Sequence, residues 1–361
     1  MLDNGKISSR QLSLLITMCI IGTAILLLPS GIAKQAKQDA WIAAIIPILA
    51  GLLVIPLYTA LGRRFPGKSF IYGIEEILGR GLGKFVSLIF LIMFPVNLSG
   101  LSLRFIGDFI TTQMLPETPI ESVLIIFMVI AVIGARAGIE TLARSAEVFF
   151  PAFVLFFLIL VLFLTPDMKV ENIQPVFETG MKPLVGASLT YISYPFLEPI
   201  IFLILVDHLN RPDRMGKALF EGVFAAGLIL FVITFLCIMV LGAEMTSNNL
   251  FPPYVLAKKI SVGKFVERIE VLVATIWFIS TYYRVTVFYY ISIIGIAQVL
   301  ELKDYRLLTL PVGAILVVFA LVTRPNVAYS FEFLQAYTAF APIIGILFPL
   351  LLLAVAVIRK K

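Results

Sequence analysis

Ten apolar stretches, each long enough to cross the ~30 Å hydrocarbon core of a bilayer, recur along the chain. They fall near 11–32, 40–61, 86–112, 120–137, 146–164, 184–206, 218–243, 268–298, 307–323 and 335–358. Within them the apolar positions run on without the strict alternation of a lipid-facing strand. Backbone groups in lipid must also be satisfied internally, so each stretch predicts a helix. The pattern predicts an all-α membrane protein: a single integral membrane domain over 1–361 with about ten transmembrane helices.

Composition agrees, with 60% hydrophobic and only 14% charged residues, a ratio that a water-exposed surface does not tolerate. The net charge of +6 raises the question of nucleic acid, but the cations sit in short connectors between apolar stretches, which is the pattern of membrane topology. With the N-terminus inside, the inner segments hold 17 Lys and Arg and the outer segments 9, with Arg104 and Arg284 inside spans. The bias places both termini in the cytoplasm. Arg324 is counted here with the outer loops, and Asp207-His208 with a solvated cytoplasmic loop. Met1–Arg10 is short and polar and does not read as a cleaved signal peptide. Cys19 and Cys237 both lie in apolar stretches, and no Cys/His ligand spacing, phosphate-binding glycine loop, HExxH or GxSxG occurs. No metal, no cofactor and no enzymatic activity are expected.

The loop after the second stretch reads Phe65-Pro66, then an amphipathic run (Phe70, Ile74, Ile77, Leu78), then Gly83-Lys84-Phe85. The loop after the seventh reads Phe251-Pro252, then Val255, Leu256 and Ile260, then Gly263-Lys264-Phe265. Five spans separate the two, so they lie on opposite sides of the membrane. That is the signature of an inverted repeat, 11–164 against 184–358, although such short strings also recur by chance. The repeat pairs the first stretch with the sixth, and both carry helix-breaking chemistry. The first has Gly22-Thr23-Ala24 and Pro29, and the sixth has Ser193-Tyr194-Pro195-Phe196-Leu197-Glu198-Pro199. Proline lacks an N–H and clashes with the preceding turn, so the sixth stretch must kink or unwind. Interrupted spans at matching places in two repeats point to a binding site at mid-membrane; a plain proline kink is the alternative.

Charge at the bilayer centre costs at least ~2.5–3.5 kcal/mol, so each buried charge needs a partner or a role. Arg284 and Glu198 lie at similar depth and are expected to face one cavity, where they neutralise each other or a zwitterionic ligand; a purely structural ion pair is the other reading. Arg104 and Asp108 share a helix face, and snorkelling toward the outer interface accounts for Arg104. Asn97, Ser99 and Ser102 precede them on the same helix and could line a pocket. Arg136, Glu140, Arg144 and Glu147 read as a charge network at the cytoplasmic connection of spans four and five.

The order of several short motifs resembles the permease-like B subunit of bacterial spore germinant receptors, within the amino acid–polyamine–organocation transporter superfamily. They are Ser8-Ser9-Arg10-Gln11, Gly22…Pro29, Asp39-Ala40-Trp41, Leu115-Pro116-Glu117-Thr118-Pro119 and Gly138-Ile139-Glu140…Arg144. The resemblance implies a 5+5 inverted repeat with broken first and sixth helices in the spore inner membrane. It implies a nutrient-sensing role, with a small germinant, typically an amino acid, bound at mid-membrane, and partnership with a membrane A subunit and a lipoprotein C subunit. By position, Gly22, Thr23 and Ala24 would meet the ligand carboxylate. Tyr194, Pro195 and Phe196 would shape the side-chain pocket, with Asn97 and Tyr282 nearby. Span five carries no Lys, unlike relatives that couple uptake to protons through a lysine there. That departure favours a receptor over a secondary amino acid transporter.

Overall fold

The computed structural model describes residues 3–259, 270–324 and 326–359, and they form a bundle of helices. Eight helices are long and apolar enough to span a membrane, and the bent pair Ser9–Ile21 and Ala24–Ala43 adds a ninth. The apolar helix Ile120–Arg136, at 17 residues, brings the set to about ten. Burial separates the bundle into an inner and an outer group. The sixth span (Met181–His208) is 83% buried and the eighth (Glu270–Val299) 67%, whereas the fifth (Ile139–Asp167) is only 22% buried. Large apolar side chains such as Leu53, Ile126 and Leu162 point outward, as they must where the surrounding solvent is lipid.

Both predicted breaks are present. The first span bends by 48° between Ile21 and Ala24. The sixth runs as a helix over Met181–Tyr191, opens into a wide turn at Ile192–Phe196 where Tyr194 is extended (φ −134°, ψ 115°), and resumes as a tight 3₁₀ helix over Glu198–His208. Its prolines, Pro195 and Pro199, have no N–H to donate to the helix, and a carbonyl at the break, Leu197 O, accepts from a tyrosine hydroxyl (see below). The two short helices of the repeat also form, as Phe70–Leu78 and Pro252–Lys258. Ile260, Gly263-Lys264-Phe265 and Arg268 lie outside the described residues.

The lower half of the first span packs on the fifth, seventh and eighth spans; its upper half packs on the first half of the sixth. Close approach requires glycine here. A Cβ on Gly222 of the seventh span would sit 2.6 Å from Ile16, and one on Gly31 would overlap the Tyr191 hydroxyl.

An N-terminal strap closes one face. Ser8 caps the first helix with Gln11 in a reciprocal capping box, which fixes where the helix starts. The residues before it lie as an extended strand, with Ile7 N donating to His208 O (2.9 Å) and Asn210 N to Ile7 O (3.0 Å). Lys6 donates to Asp207 O, and the His208 ring meets Gly5 O. His208 is therefore buried, only 3% exposed, and not solvated: the strap covers it. The Asp3 carboxylate accepts from Gly5 N (2.8 Å), the Tyr290 hydroxyl (2.8 Å) and Ile139 N (3.3 Å), so it ties the strap to the eighth span and to the turn between spans four and five. Gly138 at that turn has φ +88°, a conformation that side chains other than glycine resist. The expected cytoplasmic charge network divides here. Arg144 bonds Glu140, Glu147 accepts from Gln11, and Arg136 turns to Thr309.

On the other face, the loop after the fifth span folds over the junction of spans one and two. Buried Asp39 accepts from Phe177 N (2.8 Å) and Thr179 Oγ1 (3.1 Å).

Burial alone would raise the Asp3 pKa, but the hydrogen bonds from Gly5, Tyr290 and Ile139 outweigh it and hold the carboxyl below its ordinary value. A depressed carboxylate stabilises fully above its unfolded pKa, about 4, and loses that effect as pH falls through the folded value. Asp3→Asn should lower the melting midpoint of the solubilised protein by about 1–2 °C at neutral pH, equivalent to ~1 kcal/mol. The gap from wild type should close on acidification. An equal gap at both pH values would show that the carboxylate charge plays no part.

Candidate functional site

In a continuous helix the Cys19 carbonyl would accept from the Thr23 amide. At Gly22 the chain leaves the helix (φ 10°, ψ −117°), with its own N–H still bonded to Met18 O. The Cys19 carbonyl accepts instead from Arg284 Nη1 at 2.7 Å. The same guanidinium donates from Nε to Ser102 Oγ of the third span (2.9 Å) and from Nη2 to Glu198 Oε1 of the sixth (2.8 Å). Arg284 and Glu198 are 0% and 1% exposed. The guanidinium also lies over the rings of Tyr194 and Phe288, 4.8 Å from each centroid. Four spans thus meet at one side chain.

Glycine at 22 is a condition of this arrangement, because a Cβ there would fall 2.4 Å from Arg284 Cδ. Thr23 Oγ1 is hydrogen-bonded to the Tyr194 hydroxyl, which closes the two breaks against each other. Pro195 and Phe196 are buried in the turn of the sixth span, and Phe196 packs against Gly51 of the second. At that turn the Leu197 carbonyl accepts from the Tyr58 hydroxyl (3.0 Å), which also lies 2.7 Å from Gly345 O in the wide turn Ile343–Leu347 of the tenth span. Buried with no hydrogen-bond partner among the described residues are Glu198 Oε2 and the Tyr337 hydroxyl of the tenth span. The two interact electrostatically.

Of the residues expected from sequence, Gly22, Thr23, Ala24, Tyr194, Pro195, Phe196, Glu198 and Arg284 converge at the breaks. Asn97 and Tyr282 do not join them directly. Asn97 Oδ1 accepts from Arg324 (2.7 Å), and the Tyr282 hydroxyl lies against Gly134 of the fourth span. Cys19, Tyr58, Phe288 and Tyr337 were missed. Phe288 follows Arg284 by four residues and so shares its helix face, a spacing that could have found it. The others have no sequence signal beyond a polar atom in an apolar run. Two arginines also differ from expectation. Arg104 does not snorkel: it is 5% exposed and paired with Asp108 at 2.8 Å inside the bundle. Arg324 does lie in the connector after the ninth span, but its side chain is 1% exposed, because it turns back into the protein toward Asn97.

A family model described as spore germination protein, a spore permease, matches residues 6–328. The chain belongs to that family. Among curated relatives, spore germination protein KB of Bacillus subtilis is 27% identical, covering 100% of this chain and 97% of its own length. Spore germination protein YndE of the same organism is 25% identical, covering 89% and 88%. A solved structure of MhsT in complex with L-phenylalanine superposes with a TM-score of 0.68 at 13% identity, covering 96% of this chain and 90% of that one. At that identity the likeness shows the fold: a transporter-type inverted repeat with broken first and sixth helices. Family and fold are those of permease-type membrane proteins and not of enzymes.

Removing one member of a buried ion pair strands the other and costs ~3–5 kcal/mol, whereas removing both is often near neutral. Arg284→Met and Glu198→Gln should each cause a large drop in melting midpoint. The double variant should recover much of the loss, giving a coupling of the sign that a double-mutant cycle measures. Additive losses would mean that the two side chains stabilise the protein independently.

Proposed function

We propose that this protein is a nutrient germinant-sensing subunit of a spore germination receptor that binds a small amino-acid-like ligand at the two helix breaks. The observation that carries this reading is the pair of buried polar atoms, Glu198 Oε2 and the Tyr337 hydroxyl, left without partners beside the interrupted spans. A buried polar atom without a partner costs ~1–3 kcal/mol, so the site is built for a group that completes it. The first amides of the helix Ala24–Ala36 favour an anion, and a free carboxylate oxygen accepts from an ammonium. Together they match a zwitterion, with the carboxylate at Gly22, Thr23 and Ala24 and the amine toward Glu198. Tyr194, Pro195 and Phe196 bound the space for its side chain, and Arg284 holds the walls together. Asn97 and Tyr282 lie outside this shell, on the third and eighth spans.

Binding becomes a signal only if the ligand favours one arrangement of the bundle over another. The proposed listeners are a membrane A subunit and a lipoprotein C subunit, with this chain in the spore inner membrane and both termini in the cytoplasm. The fold also favours a second reading, a secondary amino acid transporter with alternating access around the same breaks. Labelled amino acid accumulating in liposomes that contain only this chain would favour the transporter.

Thermal melting of the purified protein across a panel of amino acids, sugars and nucleosides tests the ligand class, because a ligand specific to the folded state raises the midpoint with its concentration. One or a few amino acids should raise it saturably. Gly22→Val should remove that response, since even a Cβ at position 22 collides with Arg284. Amino acids that shift wild type no more than Gly22→Val would refute the assignment.

A further inference from the structure

The ninth span begins at Thr309, whose hydroxyl meets Arg136 beside the N-terminal strap, so its other end, at Val322, lies on the opposite face. Arg324 follows there, 1% exposed. Its guanidinium donates from Nη2 to Asn97 Oδ1 (2.7 Å) and from Nη1 to Thr323 Oγ1 (3.1 Å). It lies over Phe333 (4.4 Å to the centroid) and Phe319 (5.4 Å). Among the described residues its Nε is buried with no partner. Both hydrogen-bonded partners are neutral, and among the described residues Arg324 has no ion pair. Asp108 attracts it, but Arg104, already bonded to Asp108, repels it. Buried charges are ordinarily paired, and an uncompensated one is costly.

We propose that Arg324, with Arg104, Asn97 and the two flanking rings, forms a binding site for a small oxyanion group, a carboxylate or phosphate, on the face opposite the N-terminus. A guanidinium matches such groups through its fork of parallel donors, and Nε and one Nη present one edge of that fork. The anion supplies the missing negative charge and the missing acceptor together. The site is separate from the helix breaks but adjoins them through rings. Phe333 lies against Tyr337 (6.3 Å between centroids) and Tyr337 against Tyr194 (6.2 Å), which carries Arg284 on its face. The proposal does not depend on what binds at the breaks.

The test is the melting midpoint of the full chain in neutral detergent, titrated with inorganic phosphate at constant ionic strength, and of the chain in nanodiscs of phosphatidylglycerol against phosphatidylcholine. Wild type should gain stability saturably with phosphate. Arg324→Gln should lose that response while being at least as stable as wild type without phosphate, because it removes an unpaired buried charge; the two titration curves should cross. A gain from phosphatidylglycerol alone assigns the same chemistry to a lipid headgroup. Should Arg324→Gln fail to fold, Asn97→Ala carries the test, with an expected affinity about tenfold weaker for whichever anion acts. Wild type unresponsive to both phosphate and phosphatidylglycerol, Arg324→Gln responding like wild type, or Asn97→Ala with unchanged affinity overturns the site.

Discussion

Interrupting a helix in lipid leaves main-chain groups that must find partners, and here one guanidinium supplies the connection. Arg284 bonds the carbonyl freed at the first break, the carboxylate just past the second and a serine on the third span. A planar fork of fixed, weakly hydrated donors reaches three acceptors spread over three spans; a lysine ammonium, compact and strongly hydrated, fits this dry role poorly. The two faces of Tyr194 and Phe288 replace part of the hydration that the charge has lost. The breaks are therefore not independent weak points. Each is held by the same side chain, so moving the sixth span against the first separates a charge from its partners.

Closure on the two faces engages different members of this coupled set. The strap of residues 3–8 grips the end of the sixth span at His208 and the eighth span at Tyr290. On the other face, the loop bonded to Asp39 rests over the first two spans. The sixth and eighth spans, which carry Glu198 and Arg284, are the ones the strap ties down. A ligand that reorganised the ion pair would thus act on the strap through rigid helices. To invert a strongly biased equilibrium it would need a differential affinity of several kcal/mol, so the latch and the ion pair set the scale of the response together.

The helices and their breaks could be read from the sequence because hydrophobic length and proline chemistry are local properties. Gly22, Pro195 and Pro199 weaken a helix by their own chemistry, although proline alone does not decide a break: Pro29, Pro56 and Pro151 sit inside continuous helices. The direction in which a side chain leaves its helix is not local. The third span contains a wide turn at Ile92–Val96, ahead of Asn97, and such a turn inserts an extra residue and rotates everything beyond it. Asn97 consequently faces Arg324 and not the breaks. Arg104, His208 and Arg324 escaped for a related reason. Counting cations near span ends treats each as solvent-exposed, while burial here depends on Asp108, the strap and two phenylalanine rings that come from distant parts of the chain. Tyr58 and Tyr337 were beyond reach because a single tyrosine in an apolar run gives no sign that its hydroxyl will face an orphaned carbonyl or none at all.

The permanent charge of Arg284 also bears on the choice between sensing and transport. A covalently held cation cannot leave with the ligand or be exchanged for an ion from solution, so it contributes no driving gradient. With no lysine in span five to carry a proton, the proposed reading asks of this site only a device that senses whether its polar atoms are satisfied. Transport would need, in addition, a device that couples that state to an ion flux. A switch needs only the first: two arrangements of the bundle in which Glu198, Tyr337 and the first amides of the helix Ala24–Ala36 find different partners, with the ligand present in one and absent from the other.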